Sequence, residues 1–131
     1  PRLGAMAAPA TVDEYIAGFS PEVAERLTRV RAEIVDAVTA ASGTPPEQKV
    51  RYGIAAVMLG GRYALHFAGW KKHIGLYPVP TLPEPLESEI GPYRAEKDSV
   101  VFPHSKDVPY ELVGRVAREI ADERVRQSPN A

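Results

Sequence analysis

The residues best suited to chemistry gather in Trp70-Lys71-Lys72-His73-Ile74-Gly75-Leu76-Tyr77-Pro78, directly after the strand-like run Arg62 to Gly69. An indole, two ammonium groups, an imidazole and a phenol surround one glycine, with His66 just upstream. His73 beside Lys72 has the composition of an acid–base pair, because a neighbouring ammonium favours the neutral imidazole. The competing reading is a strand-end histidine hydrogen-bonded to backbone, since a catalytic imidazole needs a group that orients it. Ser99 and Ser105 are the loop serines nearest a histidine, and no Gly-x-Ser-x-Gly elbow surrounds either. Phosphate-loop and dinucleotide fingerprints are also missing from the sequence. These residues therefore point to binding before catalysis.

Metal chemistry has two candidate sources. His66, His73 and His104 are the chain's 3 histidines. A tight turn after Gly69 sets His66 across from Tyr77 and leaves His73 four residues along that strand, about 13 Å away at 3.3 Å per residue. Ligand atoms must lie near 2 Å from a metal, so the pair shares no ion. His104 falls in a loop after Pro103. The other source is Glu84, Glu87 and Glu89, hard oxygen donors beside prolines that suit Fe(II) or Ca²⁺. A solvated acidic loop is the plainer reading of the same residues.

Composition bounds the remaining classes. A chain of 131 residues with 44% hydrophobic and 25% charged residues has the size and balance of one soluble domain. A formal charge of -1 gives no net basic excess, so the expectation is no nucleic acid partner. No apolar run has the roughly 20 residues of a membrane span, and the absence of cysteine removes disulfides and thiolate sites. A cytoplasmic location is the default. Residues 1–10, opening with Pro1 to Ala5 ahead of Met6, are expected as a foreign or disordered leader, and one domain as residues 11–127.

The elements that must position these groups are legible in outline. Thr11 with Glu14 forms a capping-box pattern, and Ser20-Pro21 opens a longer helix with Val23, Leu27, Val30, Ile34 and Val38 on one stripe. Gly43, Pro45 and Pro46 end it. Pro109 precedes a last helix with Leu112, Val116 and Ile120, and Ser128 to Ala131 are expected to fray. Val50 to Leu59 and Arg62 to Gly69 flank the hairpin signal Gly60-Gly61. His73 to Tyr77 is a third strand, Leu86 to Ile90 a short helix and Val100 to Phe102 a fourth strand. The order gives an α+β fold: a three-stranded antiparallel meander plus a fourth strand, with N- and C-terminal helices on one face.

Pairing outward from Gly60-Gly61 sorts the side chains. Ile54, Ala56, Met58, Tyr63, Leu65, Phe67, Ile74 and Leu76 fall on the helix side. Ala55, Val57, Leu59, Ala64, His66, Ala68, Trp70, His73, Gly75 and Tyr77 fall on the other. Ala68 and Gly75 leave a dent there. That face is read as a wall for a small anionic or planar ligand, rimmed by Arg62, Lys71 and Lys72. Cover by the proline-rich segment and the chain after Val100, or a homodimer contact, would explain the same apolar face.

Tyr52-Gly53-Ile54-Ala55, Lys72-His73-Ile74-Gly75-Leu76-Tyr77-Pro78 and Lys97-Asp98-Ser99-Val100-Val101-Phe102-Pro103 resemble the YdhG-like family of small bacterial domains. The resemblance spans about residues 11 to 126. Ala55 stands where members usually carry proline, and Asp98-Ser99 where they carry glycine-threonine. The resemblance implies a frataxin-like fold, a place for Lys97 among the ligand-binding residues, and an iron-chaperone role with Fe(II) held by surface carboxylates. The helices offer few unpaired ones. Glu22–Arg26, Glu25–Arg29, Arg29–Glu33, Glu111–Arg115, Arg115–Glu119 and Arg118–Asp122 are spaced to neutralise one another. Asp13 and Glu14 join Glu84, Glu87 and Glu89 as the less compensated acids. The expectation is a non-enzymatic binding domain, monomeric or homodimeric, for a metal or small molecule.

Overall fold

The computed structural model describes residues 8–128. Residues 1–7 and 129–131 lie outside that range, with most of the expected leader and the last residues of the expected fraying end. Helix α1 (Val12–Ala17) starts at Thr11, whose hydroxyl accepts the Glu14 N–H at 3.1 Å. Glu14 reaches back one residue further than a capping box requires and accepts the Ala10 N–H at 2.9 Å. Helix α2 (Pro21–Ser42) begins at the Ser20 cap and stops at Gly43, whose φ of 87° is open to glycine without a Cβ clash. Its buried stripe is Leu27, Val30, Ile34, Ala37 and Val38. Helix α4 (Tyr110–Gln127) faces it with Leu112, Val113, Val116, Ala117, Ile120 and Ala121.

Five antiparallel strands lie in sequence order: β1 (Gln48–Arg51), β2 (Ile54–Leu59), β3 (Arg62–Gly69), β4 (His73–Tyr77) and β5 (Val100–Pro103). The expected strand from Val50 to Leu59 is in fact a hairpin. Tyr52 and Gly53 turn the chain with φ of 56° and 78°, the signs a two-residue primed turn needs. Gly60 and Gly61 make the second such turn, at 64° and 81°. Helix α3 (Leu86–Ile90) and a short 3-10 turn (Gly91–Tyr93) connect β4 to β5.

The expected assignment of faces fails on β2 for one reason. Met58 pairs with Tyr63, but Val57 pairs with Leu65, so Ala64 is an extra residue in β3. Such a bulge reverses the alternation beyond it. Ala55 and Val57, not Ala56, join Leu65, Phe67, Ile74 and Leu76 in the core, and Ala64 and Leu59 also pack there. Ala56 lies opposite His66 on the other face, and Tyr63 packs against that imidazole at 5.0 Å. Between β3 and β4 the expected register holds: His66 pairs with Tyr77 and Gly69 with Ile74.

All the helices pack on the side of Phe67, Ile74 and Phe102. Arg31 ties three elements there, donating to Gln48 and to Asp13, each at 2.6 Å. Tyr15 accepts the buried Gly69 N–H on its hydroxyl at 3.0 Å, which fixes α1 against the end of β3. Among the described residues, no helix covers the face of His66, Ala68 and Tyr77.

Candidate functional site

The helix-free face is built from two aromatic groups on β3 and its neighbours. The first surrounds His66, which is buried although it points away from the helices. Its Nδ1 lies 3.2 Å from the Tyr77 carbonyl and its Nε2 3.3 Å from Arg51 Nη1. A guanidinium only donates, so Nε2 accepts and Nδ1–H donates to the carbonyl. The ring is thus a neutral tautomer, and burial, with the Arg51 charge adding to it, pushes its pKa below the usual histidine value. Tyr63 and Tyr52 flank the ring at 5.0 and 6.2 Å, and Arg51 stacks over Tyr52 at 5.0 Å. Tyr52 itself is 85% exposed.

The second group is Trp70 with Tyr77. The indole N–H donates to the Tyr77 hydroxyl at 2.9 Å, and Trp70 stays 47% exposed. The dent expected at Ala68 and Gly75 is filled from within. A Cβ on Gly75 would land on the Tyr77 phenol, so the ring lies across the glycine. The glycine is needed for that close approach, not for a bound molecule. This half of the face is consequently a shallow aromatic surface.

The remaining residues singled out in the sequence are dispersed. Lys72 is exposed, and its carbonyl accepts the His104 N–H at 2.9 Å. His73 is half-buried at the start of β4, opposite Pro103, with its carbonyl taken by Trp70 N–H at 2.8 Å. His104 is held by a 2.8 Å contact between its Nε2 and the Trp70 carbonyl, and its buried Nδ1 has no partner among the described residues. Lys97 occupies an exposed turn with φ of 21°, beyond the Val100 end of β5 and far along the sheet from His73. It does not join Trp70, Lys72 and His73.

Glu84, Glu87 and Glu89, expected from the sequence as metal ligands, each engage a separate partner. Glu84 accepts the Ser88 N–H at 3.0 Å, as a local cap. Glu87 is held by Arg94 at 2.8 and 2.9 Å and accepts the Leu82 N–H at 2.8 Å. These bonds lower its pKa to about 2, the Arg94 bonds most. Glu89 is gripped in a fork by Arg115 at 2.7 and 2.8 Å, which also lowers its pKa. Among the described residues, no three His, Asp or Glu side chains are grouped to hold a metal ion. Asp13 is engaged by Arg31 and Glu14 by Ala10.

The helix ladders are also largely redirected. Arg26 donates to the Lys106 carbonyl at 2.9 Å, and Arg29 stacks 3.9 Å over Tyr110. Arg118–Asp122 forms as spaced, at 3.0 Å, whereas Glu111 remains 3.8 Å from Arg115. A cleft of about 460 Å³ between β3, the 78–83 loop and α4 was not anticipated; Tyr63, Pro78, Leu82 and Ile120 are among its walls. Its charged rim serves the fold. Arg124 donates to the Tyr63 and Leu59 carbonyls, and Glu119 and Glu123 hold Arg126.

The architecture is α+β, an antiparallel sheet with helices on one face. Among solved structures it is similar to the crystal structure of YdhG, a DUF1801-family protein from Bacillus subtilis, with a TM-score of 0.72 and 19% sequence identity. The match covers 90% of this chain and 94% of that one, so the YdhG-like resemblance in the sequence extends to the fold. No family model and no curated protein matches the chain. The likeness carries no activity with it, and it bears on the shared fold without reaching the frataxins. No described helix is long and apolar enough to cross a membrane.

Proposed function

We propose that this chain is a non-enzymatic binding domain, working in the cytoplasm, that presents the helix-free face of its sheet to a partner. The observation that carries the reading is the exposure of Tyr52 and Trp70 on a face that no described helix covers. Large aromatic side chains left in water cost burial energy, and they supply contact area with little rotamer entropy when a partner arrives. The filled dent over Gly75 favours a flat partner over a small molecule seated at that point. The neutral, caged His66 acts as a rigid support for Arg51 and the tyrosines.

Trp70→Ala is expected to cost no more than about 1 kcal/mol of stability, because the residue is half-exposed and loses one hydrogen bond. Thermal and urea unfolding check this. A loss above about 3 kcal/mol would show that Trp70 belongs to the core and would overturn the reading. Sedimentation of both forms reports whether the face pairs with a second copy.

Iron handling, the role implied by the resemblance, asks more of the molecule. Glu84, Glu87 and Glu89 would first have to release Ser88, Arg94 and Arg115. Anaerobic titration calorimetry with Fe(II) tests it. Micromolar binding that disappears when these carboxylates are made neutral would support the iron role, and the absence of heat would end it.

A further inference from the structure

The formal charge of -1 conceals an uneven distribution along the chain. Residues 48–77, which span β1 to β4, contain Lys49, Arg51, Arg62, Lys71 and Lys72 and not one Asp or Glu. They therefore hold five of the 16 basic residues and none of the 17 acidic ones. The helices and connecting segments carry the compensating negative charge, much of it locked in the ion pairs of Arg31, Arg94, Arg115 and Arg126.

Strand register places part of this charge on the helix-free face. Lys49 lies opposite Ala56, and Ala56 opposite His66, so Lys49 shares the face of the imidazole, in a loose exposed pair with Glu47 at 3.9 Å that a phosphate would have to displace. Arg51 reaches His66 directly. Lys71 and Lys72 are exposed in the turn beside Trp70. Each exposed aromatic ring is thus adjacent to cations: Tyr52 to Arg51, and Trp70 to Lys71 and Lys72. His66 and Trp70 are four residues apart on one face, which separates the two aromatic groups by about 13 Å. Between them Ala68 is fully buried and the Tyr77 ring crosses Gly75, so the ground between the two groups is filled by protein.

Tyr52 adds an independent sign. It holds φ of 56°, in the left-handed region where asparagine or glycine would sit more easily, and is nevertheless a large aromatic residue left 85% exposed. An aromatic side chain displayed from a backbone position that disfavours it points to a use for the ring.

We infer that this face is a platform for single-stranded nucleic acid, with bases stacking on Tyr52 and Trp70 and phosphates meeting Lys49, Arg51, Lys71 and Lys72. The inference rests on the sheet-face reading above. A single strand combines a polyanion with exposed planar faces, the two features this surface complements. A duplex hides its base faces, so it could use the cations but not the rings. An acidic polypeptide shares the charge and lacks the bases.

The test titrates the protein with an oligothymidylate of about a dozen nucleotides. The readouts are the anisotropy of labelled oligonucleotide and the emission of Trp70, the chain's only tryptophan. Binding with quenching of Trp70 is expected, weakened roughly 20- to 50-fold between about 50 and 200 mM salt if three or four phosphates are neutralised. Tyr52→Asn removes the ring in a residue suited to the same turn, and should weaken binding about tenfold, as should Trp70→Ala by anisotropy. Equal binding of duplex, or wild-type affinity in Tyr52→Asn, would overturn the inference. Oligoglutamate binding as tightly as oligothymidylate would overturn it in favour of an acidic polypeptide, leaving the sheet face as the working surface. No binding of either, with Trp70→Ala stably folded, would overturn the nucleic-acid inference alone. Unfolding of Trp70→Ala would remove the sheet-face reading itself.

Discussion

Glu87→Gln probes a charge pair tied to the backbone at both ends. Glu87 accepts from Arg94 and from the Leu82 N–H, while Arg94 also donates to the Val79 and Pro80 carbonyls at 2.6 and 2.7 Å. A carboxyl that ordinarily titrates at 4.5 and here at about 2 sets a ceiling of about 3.4 kcal/mol on its contribution at neutral pH. The two side chains keep 25% and 18% of their surface in water, and solvent screening brings the realistic figure to roughly 2 kcal/mol. Because the folded-state pKa is depressed, the stabilisation is complete above the unfolded-chain value and fades as pH falls towards about 2. Glutamine keeps an acceptor for Leu82 and loses the charge. Urea unfolding of both proteins should therefore show a gap of roughly 2 kcal/mol at pH 7 that has narrowed by more than half at pH 3. A gap that does not narrow would refute the assignment of this stability to the ionised pair.

Tyr15→Phe removes the acceptor of the buried Gly69 N–H and should cost about 1 to 3 kcal/mol in chemical unfolding, since nothing replaces the bond. Burial raises the pKa of the same hydroxyl, so Tyr15 should still be protonated in a spectrophotometric titration when exposed tyrosines have ionised. Gly75→Ala should displace the Tyr77 ring and break its bond with Trp70, seen as a red shift in tryptophan emission while far-ultraviolet circular dichroism is retained. Unchanged emission in that variant would show that the ring does not lie over the glycine.

The helices were legible because their signals are local. Ser20-Pro21 and Gly43 bound α2, and the 3.6-residue recurrence of Leu27, Val30, Ile34 and Val38 picks out its buried side. The pairing of His66 with Tyr77 followed from one turn length. The face of β2 did not, because it depended on an extra residue at Ala64 that no turn signal marks. Tyr52-Gly53 was a readable turn that a continuous apolar stretch concealed. The charge ladders misled for a different reason. Spacing of four on a helix shows which partners are near, but Arg26, Arg29 and Arg115 found better ones on other elements. The aromatic site was visible as composition, whereas its filled dent required knowing which way the Tyr77 ring leans.

The sequential order of the five strands has a consequence for how the molecule is made. Every strand pairs with its immediate successor in the chain, so the sheet can grow hairpin by hairpin with short loop closures for β1 to β4. The last long-range step is the seating of α4 on α2, which joins elements near the two ends of the described chain after the strands are in place. A nascent chain whose α4 is still inside the ribosome would therefore have its aromatic face already formed, while the opposite, apolar face waits for its last cover. The vulnerable surface during synthesis is the one that the finished protein hides.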